Sequence, residues 1–458
     1  MRTALRYSNS TDLKSLLNSP SINKLLSPAL VSEVIQEIKL EYRLRVFTPF
    51  MTLYAFIWQV LEDDGSCRRA VSKIIVAKLN LGEKICSAST SNYCRARARL
   101  PIEFFIKISH KLFNNLSSIQ QPSWEWKHGP VKVVDGTGFS VADSKSNLNQ
   151  YSRQKSRNKK HPDGGFPMGH FLGIFCLATG GLIDLKISNW KGKRTGELSL
   201  LRKLWETFNR GDTLLADALF SNYFVFAKAQ TLGVFLVAEA ARTRMKPYSR
   251  KKSHQIIEIK KSKKPKWMSQ EEFQSLPDRI RVRAIKISCG PKGFRPKDKW
   301  ILTTHPEEVK SCEIRDLYYK RWQIELNYRS IKTQLGLGHI PVKTPEMVEK
   351  HIWVHMIAYN ILRIRMAGAA LAGERVPVSL SFRAAQQISV EASNSLFGIS
   401  TEAIVYSFIL QNTVGQGPRR YEPRAIKTRP KSYAYLSEPR KVARLRLHKK
   451  YKGKKPIS

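Results

Sequence analysis

YYKRWQIELNYRSIK, residues 318–332, is the stretch on which the fold of this chain turns. At 3.6 residues per turn, Tyr318, Arg321, Glu325 and Lys332 fall within about 60° of one another on one helix face. One carboxylate is therefore flanked by two cations and a phenol. Such a face can bind a metal through the acid while Arg and Lys grip an anion beside it, as phosphoryl transfer requires. The bland alternative is a solvated helix whose charges form i,i+4 pairs.

Working outward, residues 131–141, VKVVDGTGFSV, alternate with period two and read as a strand carrying Asp135 in its middle. Two further strands are expected at 171–179 and 182–189, joined through Gly180-Gly181. A helix is expected at 194–208. DTLLADALF, residues 212–220, is an apolar run broken by Asp217 and reads as a buried strand ending at an acid. A helix at 222–232 and a strand at 235–241 follow. That order suits a layered α/β fold, three antiparallel strands followed by helix and parallel strand. Residues 1–125 read as helical, with apolar residues at three-and-four spacing in 31–42, 49–61, 68–79 and 101–115. Arg95, Arg97 and Arg99 crowd the segment before the last of these. Residues 242–266 are strongly basic and surrounded by strand-like runs at 254–259, 280–288 and 300–304. Residues 348–371 form a long apolar helix expected to pack on the sheet.

Composition adds a partner class. With 79 Lys and Arg against 36 Asp and Glu, the formal charge is +43, and the phosphate backbone of nucleic acid is the natural partner of such a surface. Cations cluster at 153–160, 242–266 and 419–455. No apolar run is long enough to span a membrane, and MRTALRYSNSTDLKS offers no secretory signal, so a cytoplasmic, nucleoid-associated protein is expected. Six scattered cysteines without a C-x-x-C pair read as reduced structural thiols.

The Tyr-x2-Arg-x3-Glu-x6-Lys spacing resembles the signature of insertion-sequence-4 type DDE transposases, and the likeness runs from about Val131 to the Arg-Pro-Lys-Ser-Tyr stretch at 429–433. The resemblance implies an RNase H-like catalytic domain over 126–241 and 306–372, interrupted by a mostly β insertion domain over 242–305 lying above the active site. It also implies an all-α N-terminal domain over 1–125 that binds the element's ends, and a basic C-terminal region over 373–458. Asp135, Asp217 and Glu325 would be the catalytic triad holding Mg²⁺, with Mn²⁺ as substitute. Tyr318, Arg321 and Lys332 would contact end phosphates, and Trp322 would support a bent or flipped strand. Trp267, an aromatic among cations, is a candidate for stacking on an unpaired base, with a core role as the alternative. Asp143, Asp212 and Asp316 are the acids nearby that do not fit the triad. One departure is that Ala218 follows Asp217 where the family often has Arg. The implied activity is cut-and-paste transposition through a hairpin intermediate, acting on terminal inverted repeats and target DNA as a homodimer. A former transposase retained only to bind DNA, and an RNase H-like nuclease that cuts without joining, are the alternatives.

Overall fold

The computed structural model describes residues 26–43, 45–80, 82, 84–153, 165–241, 244–245, 253–289, 297–394, 402–414 and 438–450. The basic cluster at 154–160, most of 242–252 and most of the 418–458 tail lie outside these residues.

Strand β1 (Val131–Val141) is the axis of the molecule because its alternation lets it feed two cores at once. Val131, Val133, Phe139 and Val141 point into one cluster, and Val134 into another on the opposite face. Among the described residues five α-helices precede it: α1 (Pro28–Glu37), α2 (Pro49–Leu61), α3 (Cys67–Asn80), α4 (Ser91–Arg99) and α5 (Ile102–Ser118). The first two start as their sequences dictate, each with a Ser or Thr N-cap followed by Pro at the first turn. After β1 come α6 (Lys145–Gln150), β2 (Ser152–Arg153), β3 (Pro167–Cys176), β4 (Leu182–Asn189), a five-residue helix α7 (Glu197–Leu201), β5 (Thr213–Ala216), α8 (Tyr223–Leu232) and β6 (Phe235–Glu239).

The sheet is mixed. β1 pairs antiparallel with β3 over nine residues and parallel with β5, and β5 pairs parallel with β6. The strands expected at 254–304 form β7 (His254–Lys260), β8 (Arg279–Cys289) and β9 (Lys297–Thr303), with α9 (Gln270–Ser275) between the first two. They do not break the sheet. β9 pairs antiparallel with β6, so among the described residues one ten-stranded sheet runs through both segments.

The stretch 318–332 departs from the single helix its spacing predicts. It is split into α10 (Ser311–Lys320), a turn at Arg321 and Trp322, α11 (Gln323–Arg329) and a π-turn over Ser330–Gln334. The wider π-turn feeds the two-residue strand β10 (His339–Ile340), which pairs parallel with the end of β1. The chain then enters α12 (Pro345–Ala372), whose burial also exceeds the expectation of one apolar face. Every residue from Lys350 to Ala370 is buried, because α2, α5 and the later helices Phe382–Asn394 and Glu402–Gln411 cover the sides that the sheet leaves. Asn360 pairs through its side-chain amide with both the N–H and the carbonyl of Leu182. Helices α13 (Phe382–Asn394), α14 (Glu402–Gln411) and α15 (Arg440–Lys450) complete the described chain. Arg97, the middle one of the three crowded arginines, is only 5% exposed. Its guanidinium donates to Gln59 Oε1 at 3.1 Å and lies over the rings of Phe56 and Tyr93. Arg95 and Arg99 remain exposed.

Candidate active site

Two parallel strands bring the first two acids together. Register pairs Val131 with Thr213 and Val133 with Leu215, so two residues further on Asp217 follows beside Asp135, on the same face as Val133 and Leu215. Asp217 stands just past the end of β5 and caps the next turn, its Oδ1 accepting the Leu219 N–H at 2.8 Å. Asp135 Oδ1 accepts the Gly136 N–H at 2.8 Å.

Helix α11 delivers the third acid. The buried Tyr328 hydroxyl donates to the Asp135 carbonyl at 2.5 Å and accepts the Gly173 N–H at 3.1 Å, which pins α11 across β1 and β3. Glu325, one turn earlier on the same helix, accepts from Arg321 at 2.9 Å. Lys332, in the π-turn, donates to Thr137 Oγ1 on β1 at 3.2 Å, and burial lowers its ammonium from the ordinary lysine range.

These acids act on one another. Burial pushes the Asp135 carboxyl up to about 6, its own Gly136 N–H pulls it back, Asp217 and Glu325 raise it and Arg321 lowers it. A fourth acid, which the sequence did not single out, belongs to the same neighbourhood. Glu197, the first residue of α7, is pushed up to about 7 by burial and by the charges of Asp135 and Asp217. Mutually repelling hard oxygen donors of this kind suit a divalent cation such as Mg²⁺ or Mn²⁺. As they stand, no three of the described His, Cys, Asp or Glu side chains converge as a ligand set; Glu325 is held by Arg321 instead.

The other expected residues are placed as follows. Tyr318 is 5% exposed, and its hydroxyl donates at 2.9 Å to Glu239, which also pairs with Lys299. Trp322 is 60% exposed and borders a cavity of about 270 Å³ with Trp124, Trp126 and Tyr319. Trp267 is 37% exposed, with the Arg202 guanidinium 4.1 Å from its ring centroid and Phe224 edge-on at 5.7 Å. The acids set aside have cations of their own: Asp212 pairs with Lys132, Asp143 with Arg153 and Arg444, and Asp316 with Arg315.

Comparison with known proteins gives the chain a family. The transposase DDE domain model matches residues 126–361, just over half the chain, and the chain belongs to that family. Among curated relatives, the chain is 34% identical over 139 residues to "Transposase InsG for insertion sequence element IS4" of Escherichia coli (strain K12), covering 28% of this chain and 31% of the relative. It is 37% identical over 59 residues to "Putative transposase InsL for insertion sequence element IS186A" of the same organism, covering 13% and 16%. The chain thus spans about a third or less of the length of these relatives. Among solved structures, a piggyBac transposase synaptic complex with hairpin DNA aligns at 12% identity and a TM-score of 0.42, covering 89% of this chain and 85% of that one.

Proposed function

We propose that this protein is a DNA transposase of the insertion-sequence-4 type, which cleaves DNA at the ends of its element and joins the freed 3′ hydroxyls to target DNA. The observation that carries the reading is the register of β1 and β5, which sets Asp217 beside Asp135, with Glu325 brought alongside by a helix that Tyr328 ties to the Asp135 carbonyl. Three antiparallel strands followed by parallel β5 and β6 support an RNase H-like catalytic unit over 126–241 and 306–372. The 242–305 segment is then its β-rich insertion, with residues 1–125 serving the element's ends and residues 373–458 forming a basic C-terminal region.

Asp135, Asp217 and Glu325 would hold Mg²⁺, with Mn²⁺ as substitute. Bound there, a divalent ion activates the attacking hydroxyl and steadies the leaving oxygen. The chain's own residues do the rest. Arg321 and Lys332 offer positive charge on either side of Glu325 for a phosphate, and Tyr318 braces α10 against β6 through Glu239. Trp322, exposed at the turn between α10 and α11, is free to meet a distorted strand, and Trp267 presents part of its ring beside Arg202. No side chain acts as a covalent nucleophile in this scheme. The +43 charge supports binding to terminal inverted repeats and target DNA, and concerted joining of two ends calls for two copies in the DNA complex. No described helix is long and apolar enough to cross a membrane.

The test is incubation of the full-length protein and Mg²⁺ with labelled duplexes carrying the inverted repeats that flank its reading frame. Nicked ends and strand-transfer products are expected. Cut ends without joined products would reduce the activity to a nuclease, and binding without cutting to a DNA-binding protein.

A further inference from the structure

Glu197 is a half-buried carboxylate without a counterion in a chain carrying +43. Comparable acids nearby have cations: Asp212 has Lys132, Glu239 has Lys299, and Glu313 has Lys127. Among the described residues, no hydrogen-bond donor or cation pairs with Glu197. An unpaired carboxylate out of water is costly, and proteins keep one where a metal or ligand supplies the missing charge.

Its position is fixed by packing. Leu200 and Leu201 of α7 sink into the core cluster that also holds Val134, Leu214 and Ala216, so α7 lies on the face of the sheet opposite α11. The first residue of α7 is thereby set against Gly136. A Cβ built on Gly136 would lie 2.1 Å from Glu197 Oε1 and 2.5 Å from its Cδ. Gly136 therefore opens a slot through which an acid from the far face reaches the backbone next to Asp135. The pairing of β1 with β5 stops at Val133 and Leu215, so β5 does not close this slot.

We propose that Glu197 is a fourth carboxylate of the metal site, contributing with Asp135 and Asp217 to the hold on a divalent cation. This rests on the transposase reading above. It makes Gly136 a requirement of the site, since any side chain there occupies the place of the carboxylate.

The experiment titrates Mn²⁺ into the full-length protein without DNA, following free Mn²⁺ by its electron paramagnetic resonance signal, beside melting curves in EDTA. Glu197→Gln is expected to weaken Mn²⁺ binding at least tenfold while the melting temperature in EDTA holds or rises. Glu206→Gln, an exposed glutamate nine residues on, should bind Mn²⁺ as the parent does. Parental Mn²⁺ affinity in Glu197→Gln, together with its loss in Asp135→Asn, overturns this inference alone. A lower melting temperature in EDTA with unchanged Mn²⁺ affinity makes Glu197 a structural residue and overturns it too. Undiminished Mn²⁺ binding and cleavage in Asp135→Asn overturns both this inference and the reading beneath it.

Discussion

The two ends of β5 carry acids five residues apart and treat them in opposite ways. At the start of the strand, Asp212 is buried, 2.6 Å from Lys132 Nζ, and its other bonds go to the local backbone. At the other end, Asp217 has no ion pair among the described residues and stands beside Asp135; behind burial, Asp217 and Glu325 push the Asp135 carboxyl up, and Asp135 and Asp217 push Glu197 up. One end is paired and finished, the other is left without a countercharge. The carboxyl ends of parallel strands are where open α/β sheets place their ligands, and the contrast shows what that means electrostatically.

The largest expected effect comes from the unfinished end. Asp135→Asn, Asp217→Asn and Glu325→Gln should each cut cleavage of end DNA by about a thousand-fold or more, measured on labelled duplex, while binding to that duplex persists in gel-shift assays. Asp212→Asn should cleave at close to the parental rate but lose about 3 kcal/mol in urea unfolding, because it leaves Lys132 buried without its partner. Equal losses of cleavage in Asp212→Asn and Asp217→Asn would erase the distinction between the two ends.

A smaller effect is set by pH. Asp135 and Glu197 are both pushed up, to about 6 and about 7, so the folded protein keeps protons there that the unfolded chain has already released. Their contribution to stability is therefore greatest in acid and falls as pH rises from about 4 to about 7. The metal-free protein should lose about 1–3 kcal/mol across that window relative to Asp135→Asn. Urea melts of the two proteins at pH 5 and pH 8 in EDTA check this. A parent as stable relative to the variant at pH 8 as at pH 5 would show that burial and the neighbouring acids do not raise Asp135. The smallest effect is expected of Tyr328→Phe, which removes one hydroxyl serving both Gly173 and Asp135 and should cost about 1 kcal/mol. Cleavage falling further than that loss explains would make Tyr328 a positioning residue for Glu325.

Much of this was legible in the residues because local pattern and tertiary role coincide. The alternation of 131–141 marks β1 together with its acid, and the apolar run of 214–216 stops at Asp217 where β5 stops. Asn222 and Gly233 bracket α8 as N-cap and left-handed C-cap. What escaped the sequence depends on contacts distant in the chain. Glu197 reads as an ordinary acid opening a helix expected over 194–208, and nothing local says that the helix is five residues long or that Gly136 makes room for it. The π-turn after Arg329 leaves no mark in a helix-favouring stretch, so Lys332 was expected on the stripe of Glu325. Arg97 looks like its exposed neighbours until Gln59 and Tyr93 enclose it. The all-round burial of α12 requires α2 and α5, which lie far upstream.

That last separation bears on how the protein is made. Helix α12 supplies the surface on which α2, α4 and α5 complete their packing, with the Phe56 ring of α2 4.7 Å from that of His351 and Lys350 donating to the Ala98 carbonyl of α4 at 2.8 Å. Roughly 280 residues must be synthesised between Leu61 and Pro345, which at about 5–20 residues per second takes on the order of 15–60 s. During that interval the faces of α2 and α5 that α12 covers stay open. Ribosome-bound chains halted before Pro345 should therefore be cleaved readily by protease within α2 and α5, and chains halted well beyond Ala372 should resist.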